Sequence, residues 1–440
     1  MPHRCAAELC PRARADGSFH PPRCRRPRLS RPRRNPQLAL CARADLDERP
    51  AMRAPNRLGA RSAPAVIGGG VPSLRGLLSR WPRFMLMLCR TCAAVAGSGG
   101  CLSADERLAT APPATAAPVA VSGRAMGTSW SAKWLPASAA LEPSAVARSL
   151  AATLERLERQ FSTYRPDSEL ARFNRAHDTG WLAVSPELAR VAHRAREISA
   201  LTSGAFDPTI APLLELWGFG PFPARDTWPT AAEIFAARAR AGWARLEVRL
   251  DPPALRKADP RLAADFSSIA KGFAVDALSA WLAAHGATNH LVRLGGDLRA
   301  AGHGSGGHGW PVAIEQPVGG PSAPARIVVL ANQALSTSGN TRNFIVLGGR
   351  RLGHLLDPRT GSPAAGPLAS ASVVATTCAD SSALATGLFV LGADAGPALA
   401  TRERLAALFL VGEGSAFDAR PTPDFAARFS RGLPDLAARD

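Results

Sequence analysis

Within the seven residues Asp265-Phe-Ser-Ser-Ile-Ala-Lys271 the chain offers a carboxylate, two hydroxyls and an ammonium. Gly272 follows and permits close backbone approach. Phe273, Val275 and Leu278 then begin an apolar pattern that runs through Trp281 and Leu282 to Gly286. The polar group is therefore expected just before a helix, where free N–H groups and the helix dipole favour anions. The glycine spacing GxxxxGK of a Walker phosphate loop is absent. Alone, the stretch reads as an ordinary amphipathic helix with a solvated lysine.

Other polar, glycine-containing stretches interrupt the apolar pattern. TSGAFDPT (202–209) leads to WGFG (217–220), and RLGGDLRAAG occupies 293–302. LSTSGNTRNF (335–344) clusters hydroxyls with Arg342, and GHLLDPRTGSP (353–363) sets His354, Asp357 and Arg359 around a turn. Each taken singly is a turn, with Asp207 and Asp357 suited to capping it. A neutral histidine within reach of a hydroxyl is, in turn, a suitable general base near pH 7.

The elements that would position these residues follow from periodicity. Pro143 and Ser144 begin a helix carrying Val146, Leu150, Leu154, Leu157 and Phe161 at helical spacing. Ser185-Pro186 opens a second, with Leu188, Val191, Ala195 and Ile198 on one face and Gly204 at its end. A helix is expected over about 380–390, and strands over 289–294, 326–330, 371–376 and 406–411, with another in GTSWSAKWL. Helices and strands mix without a regular βαβ alternation, which predicts an α+β fold with mixed sheets rather than a doubly wound one. GHGSGGHG (302–309) reads as a turn rather than a metal site, despite His303 and His308.

The net charge of +18 belongs to the leader. Residues 1–100 hold 19 Arg and no Lys against 5 acids, while the remainder holds 34 basic and 30 acidic residues. Nucleic-acid binding is thus not expected of the folded body. Seven of the eight cysteines lie in the first 101 residues, leaving only Cys378 beyond, so no disulfide forms within the body. Residues 1–72 read as a disordered Arg/Pro-rich leader and 73–101 as a signal or lipoprotein segment with FMLMLC followed by small residues ending SGGC. Residues 102–118 form an Ala/Thr/Pro-rich tether, 119–415 the folded domain, and 416–440 a tail. Export to the periplasmic side, with membrane anchoring through a lipid on Cys101, is the expectation.

Taken in order, MGTSWS (126–131), FSTYRPDSELARFN (161–174), SGAFDPTIAPLLELWGFG (203–220), DFSSIAKGFAVD (265–276), LVRLGGDL (291–298), STSGNTRNF (336–344), HLLDPRTGSP (354–363) and LATGLFVLG (384–392) resemble the FAD:protein FMN transferase (ApbE-type) family. The likeness spans residues 120 to 415. It implies an α+β fold that binds FAD and Mg²⁺ and transfers FMN, through its phosphate, to a Ser or Thr hydroxyl of an acceptor flavoprotein, releasing AMP. By matching motif positions, Met126, Tyr164, Ala205, Phe206, Asp207, Asp265 and Lys271 line the FAD site, and His354 is the base. The same match makes a backbone oxygen of Ser268 and the hydroxyl of Thr386 metal ligands. Tyr164 is the only tyrosine of the chain and a natural partner for a flavin or adenine ring.

The chain departs from that pattern at one point. The family usually has an Asp four residues before the helix threonine, where this chain has Ser382, and Asp380 stands where the family commonly has Glu. On a helix, positions 382 and 386 share a face and 380 does not. Two other functions are compatible with the same residues: Mg²⁺-dependent hydrolysis of FAD to FMN and AMP, and FAD binding with little catalysis.

Overall fold

The computed structural model describes residues 117–136, 141–317, 324–413 and 416–429. The expected leader, export segment and most of the tether lie outside them. The centre is an eight-stranded sheet in the order Val119–Ala125, Thr128–Trp134, His290–Leu294, Asp297–Ala301, Gln333–Gly339, Leu368–Ala375, Ala406–Glu413, Ala416–Pro421. Every neighbouring pair is antiparallel.

Both faces of this sheet are covered. Because side chains alternate along a strand, Ala407, Phe409 and Val411 point to one face and Leu408 and Leu410 to the other. The first face packs on helices α1 (Pro143–Phe161), α6 (Ser267–Ala284) and α7 (Cys378–Arg402), with the short α2 (Glu169–Arg175) beside α1, and α3 (Pro186–Leu201) against α6 and α7. The second packs on a hairpin, Trp310–Glu315 with Pro324–Leu330, and on the final helix α8 (Pro423–Phe429) through Phe425 and Phe429. A satellite core joins α4 (Ala211–Trp217) and α5 (Ala231–Arg238) to a second hairpin, Phe344–Leu347 with Arg350–Gly353. These layers are the α+β architecture expected from the mixed order of elements.

The amphipathic helices lie where their spacing predicts, with Val146, Leu150, Leu154 and Leu157 of α1 buried. Ser185 caps α3, its hydroxyl accepting the Leu188 N–H at 3.3 Å. Three expectations change. Ser267, Ser268 and Lys271 do not precede α6 but form its first turns, because the polar residues carry no helix breaker and Asp265 accepts the Ser267 N–H at 2.7 Å. The helix expected over 380–390 runs from Cys378 to Arg402, broken at Gly392, whose φ of 85° and ψ of −173° only glycine takes easily. The boundary expected at 415 falls inside a strand pair: Ala416–Pro421 adds the last strand, and the folded unit continues to Phe429.

Candidate active site

Gly272 fixes how the two central helices meet. A Cβ there would lie 2.2 Å from the Cys378 carbonyl oxygen and 2.8 Å from Ala379 Cα, so α6 and α7 touch backbone to backbone. One turn along, Asp276 caps α7 from outside, its two carboxylate oxygens accepting the N–H groups of Cys378 and Ala379 at 2.9 and 3.0 Å. Arg299, from the sheet, completes that carboxylate's surroundings. Burial raises the Asp276 carboxyl above the usual range, opposed by these bonds.

The start of α6 gathers blocks distant in sequence. The Asp265 N–H donates to the Pro208 carbonyl at 2.7 Å, stitching DFSSIAKG to SGAFDPT. In that loop Ser203 (φ 51°) and Gly204 (φ 77°) turn the chain out of α3, and Ala205 and Phe206 are buried against the helices. Asp207 is buried too. It accepts the Thr209 N–H at 2.7 Å, the Thr209 hydroxyl at 2.6 Å and the Trp243 N–H at 3.1 Å. Burial raises its carboxyl above the ordinary value. Its bonds within the structure make Asp207 the clamp that shapes this loop.

Tyr164 stands over the same region, 69% exposed. Its pKa is raised by desolvation and then by the charge of Asp265, and its hydroxyl lies 4.0 Å from where a Cβ on Gly220 would sit. An open phenol ring, the WGFG turn and Asp265 thus converge. Met126 sits at the tip of a two-residue hairpin turn with Gly127, φ 48° and 72°. The Met126 N–H donates to the Glu158 carboxylate of α1. The LGGDL turn lies against this hairpin, the Gly295 N–H donating to the Ser129 carbonyl at 2.9 Å.

The charge of Lys271 reaches His354 from α6. The Lys271 ammonium donates to the Ser267 carbonyl at 3.2 Å. His354 Nδ1 lies 3.1 Å from the Asn343 carbonyl oxygen, which also accepts the His354 backbone N–H at 3.2 Å. A carbonyl can only accept, so Nδ1 carries the proton and Nε2 keeps its lone pair. Burial, with the Lys271 charge adding to it, lowers the imidazole to about 4, against the opposing effect of the Asn343 bond. His354 is therefore neutral at pH 7. The adjoining turn is held by Asp357 and Arg359, whose guanidinium donates to both carboxylate oxygens at 2.8 and 2.9 Å. Trp217 Nε1 donates to the Gly361 carbonyl at 2.8 Å and ties the turn to α4.

The third group is made of hydroxyls. Ser336 and Ser338 face α7 from one side of their strand: Ser336 Oγ lies 2.8 Å from Ser381 Oγ, and Ser338 Oγ 3.1 Å from Thr386 Oγ1. Thr386 Oγ1 also donates to the Ser382 carbonyl at 3.2 Å, so 382 and 386 lie on adjoining turns of one face. Asp380 points elsewhere, 2.6 Å from Arg194 Nε of α3. Ser268 sits in the first turn of α6, half-buried. Among the described residues no group of three His, Cys, Asp or Glu side chains is placed to hold a metal ion. The hydroxyl and carbonyl oxygens present are hard, neutral donors, which suit Mg²⁺ in type but bring no charge of their own.

Four contributors carried no functional expectation: Ser338, Asp276, Glu158 and the Asn343 carbonyl. Alternation in LSTSG signals that Ser336 and Ser338 share a face; the other three are tertiary contacts without a local signature.

Comparison with known proteins gives consistent matches. The ApbE family profile covers residues 126–409. The FAD:protein FMN transferase of Vibrio cholerae serotype O1 is 36% identical over 299 residues, 68% of this chain and 89% of the relative. That of Klebsiella pneumoniae is 36% identical over 323 residues, 73% and 92% of the two chains. Among solved structures, the flavin transferase ApbE from Vibrio cholerae superposes with a TM-score of 0.66 at 35% identity, covering 71% of this chain and 100% of that one. The apo form of Pseudomonas stutzeri flavinyl transferase ApbE gives 0.65 at 36%, covering 72% and 98%.

Proposed function

This chain belongs to the ApbE family, an enzyme family whose curated relatives are FAD:protein FMN transferases, and we propose that it moves the FMN half of FAD onto a serine or threonine hydroxyl of an acceptor flavoprotein. In this reading the acceptor oxygen attacks the flavin-side phosphorus. The bond from that phosphorus to the bridging oxygen breaks, and AMP leaves. The acceptor proton passes to Nε2 of His354. The observation that carries the reading is the fixed tautomer of His354: the Asn343 carbonyl holds Nδ1–H, and the imidazole is neutral at pH 7.

The other residues bind and orient. Lys271, in the second turn of α6, supplies positive charge for the diphosphate. Tyr164 offers a ring face, and the Ala205-Phe206-Asp207 loop with Met126 forms the wall. Ser338, Ser382, Thr386 and the Ser268 carbonyl would be the oxygen donors for Mg²⁺, which when bound would supply charge neutralisation at the diphosphate. In this reading Asp380 is left out of that set, its carboxylate being paired with Arg194. Incubation of the full chain with FAD, Mg²⁺ and candidate flavoproteins tests the reading. Covalent flavin on an acceptor supports it; free FMN and AMP with every acceptor would assign hydrolysis instead, and unchanged FAD a binding role.

Export and lipidation at Cys101 complete the proposal on sequence alone, since that segment lies outside the described residues. Cys101→Ser should move the protein from the membrane to the soluble fraction; an unchanged distribution would remove the anchor.

A further inference from the structure

The hairpin Phe344–Leu347 with Arg350–Gly353 has one face inside and one outside. Ile345, Leu347 and Leu352 turn into the satellite core with Leu213, Trp217 and Leu356. The cross-strand register sets Phe344 opposite Gly353 and Val346 opposite Arg351 on the other face. There Phe344 and Val346 are 43% and 64% exposed. Arg351 lies over the Phe344 ring, 3.6 Å from its centroid, and has no carboxylate partner among the described residues. One more exposed aromatic, Trp228, stands edge-on to Trp217 of the same satellite core, 6.1 Å between ring centroids. A concentration of exposed apolar side chains marks a contact surface more often than a scatter of single ones does.

This face is contiguous with the reacting group. Gly353 ends the hairpin and His354 follows it, while Asn343, the residue before the hairpin, grips His354 at both its backbone N–H and Nδ1. The base of the hairpin and the imidazole therefore form one rigid unit. A transferase whose acceptor is a protein must seat a polypeptide with one hydroxyl within reach of Nε2. We propose that the outward face formed by Phe344, Val346 and Arg351 docks the acceptor, binding the segment that flanks its hydroxyl through an apolar side chain and a carboxylate. The inference rests on the transfer reading above. The apolar pair gives contact area, the guanidinium, which donates to the Thr341 carbonyl but has no carboxylate partner among the described residues, selects acidic over basic flanks, and continuity with His354 brings the bound segment to the imidazole.

Two pools of synthetic peptides test it with the full chain, FAD and Mg²⁺. Both hold a central threonine; flanks are drawn from Asp, Glu, Leu and Val in one pool and from Lys, Arg, Leu and Val in the other. Covalent flavin on the peptides is the readout, with FAD affinity and AMP release measured alongside. The expected result is faster labelling of the acidic pool by about tenfold, reversal of that preference in Arg351→Glu, and slower labelling of both pools in Phe344→Ala/Val346→Ala, all with unchanged FAD affinity. Equal labelling of the pools, or an order that Arg351→Glu leaves unaltered, would overturn the docking face. So would a chain that splits FAD but labels neither pool, or a dimer in sedimentation that Val346→Glu dissociates, which gives the face to a second copy. A chain that binds no FAD and releases no AMP would overturn the transfer reading itself.

Discussion

The carboxylate of Asp276 receives the backbone N–H of Cys378 at 2.9 Å, so the helix that carries Thr386 begins on a side chain of the helix that carries Lys271. The two halves of the site are thereby one mechanical unit. Asp276→Ala leaves two N–H groups and Arg299 without their acceptor. A loss of roughly 2–4 kcal/mol is expected in denaturant unfolding. A loss below about 0.5 kcal/mol, the range of neutral surface changes, would mean that the cap contributes little.

Gly272→Ala probes the same junction sterically. Its Cβ would meet the Cys378 carbonyl oxygen at 2.2 Å, so the helices must separate. The added methyl should lower stability by about 1–3 kcal/mol and reduce transfer further than FAD binding, since Thr386 moves relative to Lys271. An alanine variant as stable and active as the parent would contradict the backbone contact.

His354→Ala should leave FAD affinity near the parental value while slowing transfer by about a hundredfold to ten-thousandfold. Parallel measurement of FAD binding and acceptor labelling separates the roles. Equal loss in both would make His354 a binding residue.

The imidazole also sets a pH signature. Its pKa is lowered to about 4, by burial first and then by Lys271. The base form therefore persists well below the ordinary 6.5, and kcat/KM should stay level on acidification until an acid limb appears near 4. Lys271→Gln removes a charge that opposes the imidazolium, so its limb should move upward. A parental limb near 6.5 would show that the histidine is not held as described.

Ser382→Asp places a carboxylate on the face shared with Thr386, and the Mg²⁺ concentration for half-maximal activity should fall. Asp380→Ala should instead leave the Mg²⁺ dependence unchanged. Its effect is loss of a half-exposed ion pair with Arg194, about 1 kcal/mol or less. Titration of both variants decides between the positions, and a weakened Mg²⁺ dependence in Asp380→Ala would reverse the assignment.

Much of this organisation was legible from periodicity. The buried faces of α1 and α3 followed from residues three and four apart, and Val292 and Leu294 from a short apolar run. The strand Gln333–Gly339 was not, because its inward hydroxyls, Ser336 and Ser338, find their partners in Ser381 and Thr386 of α7. The hairpin at 344–353 left a readable mark in Gly348-Gly349 between FIVL and RRLG, a pair suited to a tight turn with φ 56° and 75°. The candidate site showed the same division. His354, Lys271 and Asp265 stand in the sequence as polar residues in interrupted patterns, and helical phase sets Ser382 rather than Asp380 beside Thr386. The external capping by Asp276 and the Asn343 grip on His354 arise only when distant segments meet.

Since main chain meets main chain at Gly272, the separation of the lysine-bearing and hydroxyl-bearing helices is set by two peptide backbones rather than by side-chain volume. Leu, Val and Ala residues elsewhere in the core can exchange bulk without altering that spacing. The consequence is an uneven tolerance to sequence drift: the core around Leu278 and Leu388 is free to be rewritten as long as it stays filled, while any side chain at position 272 forces the helices apart.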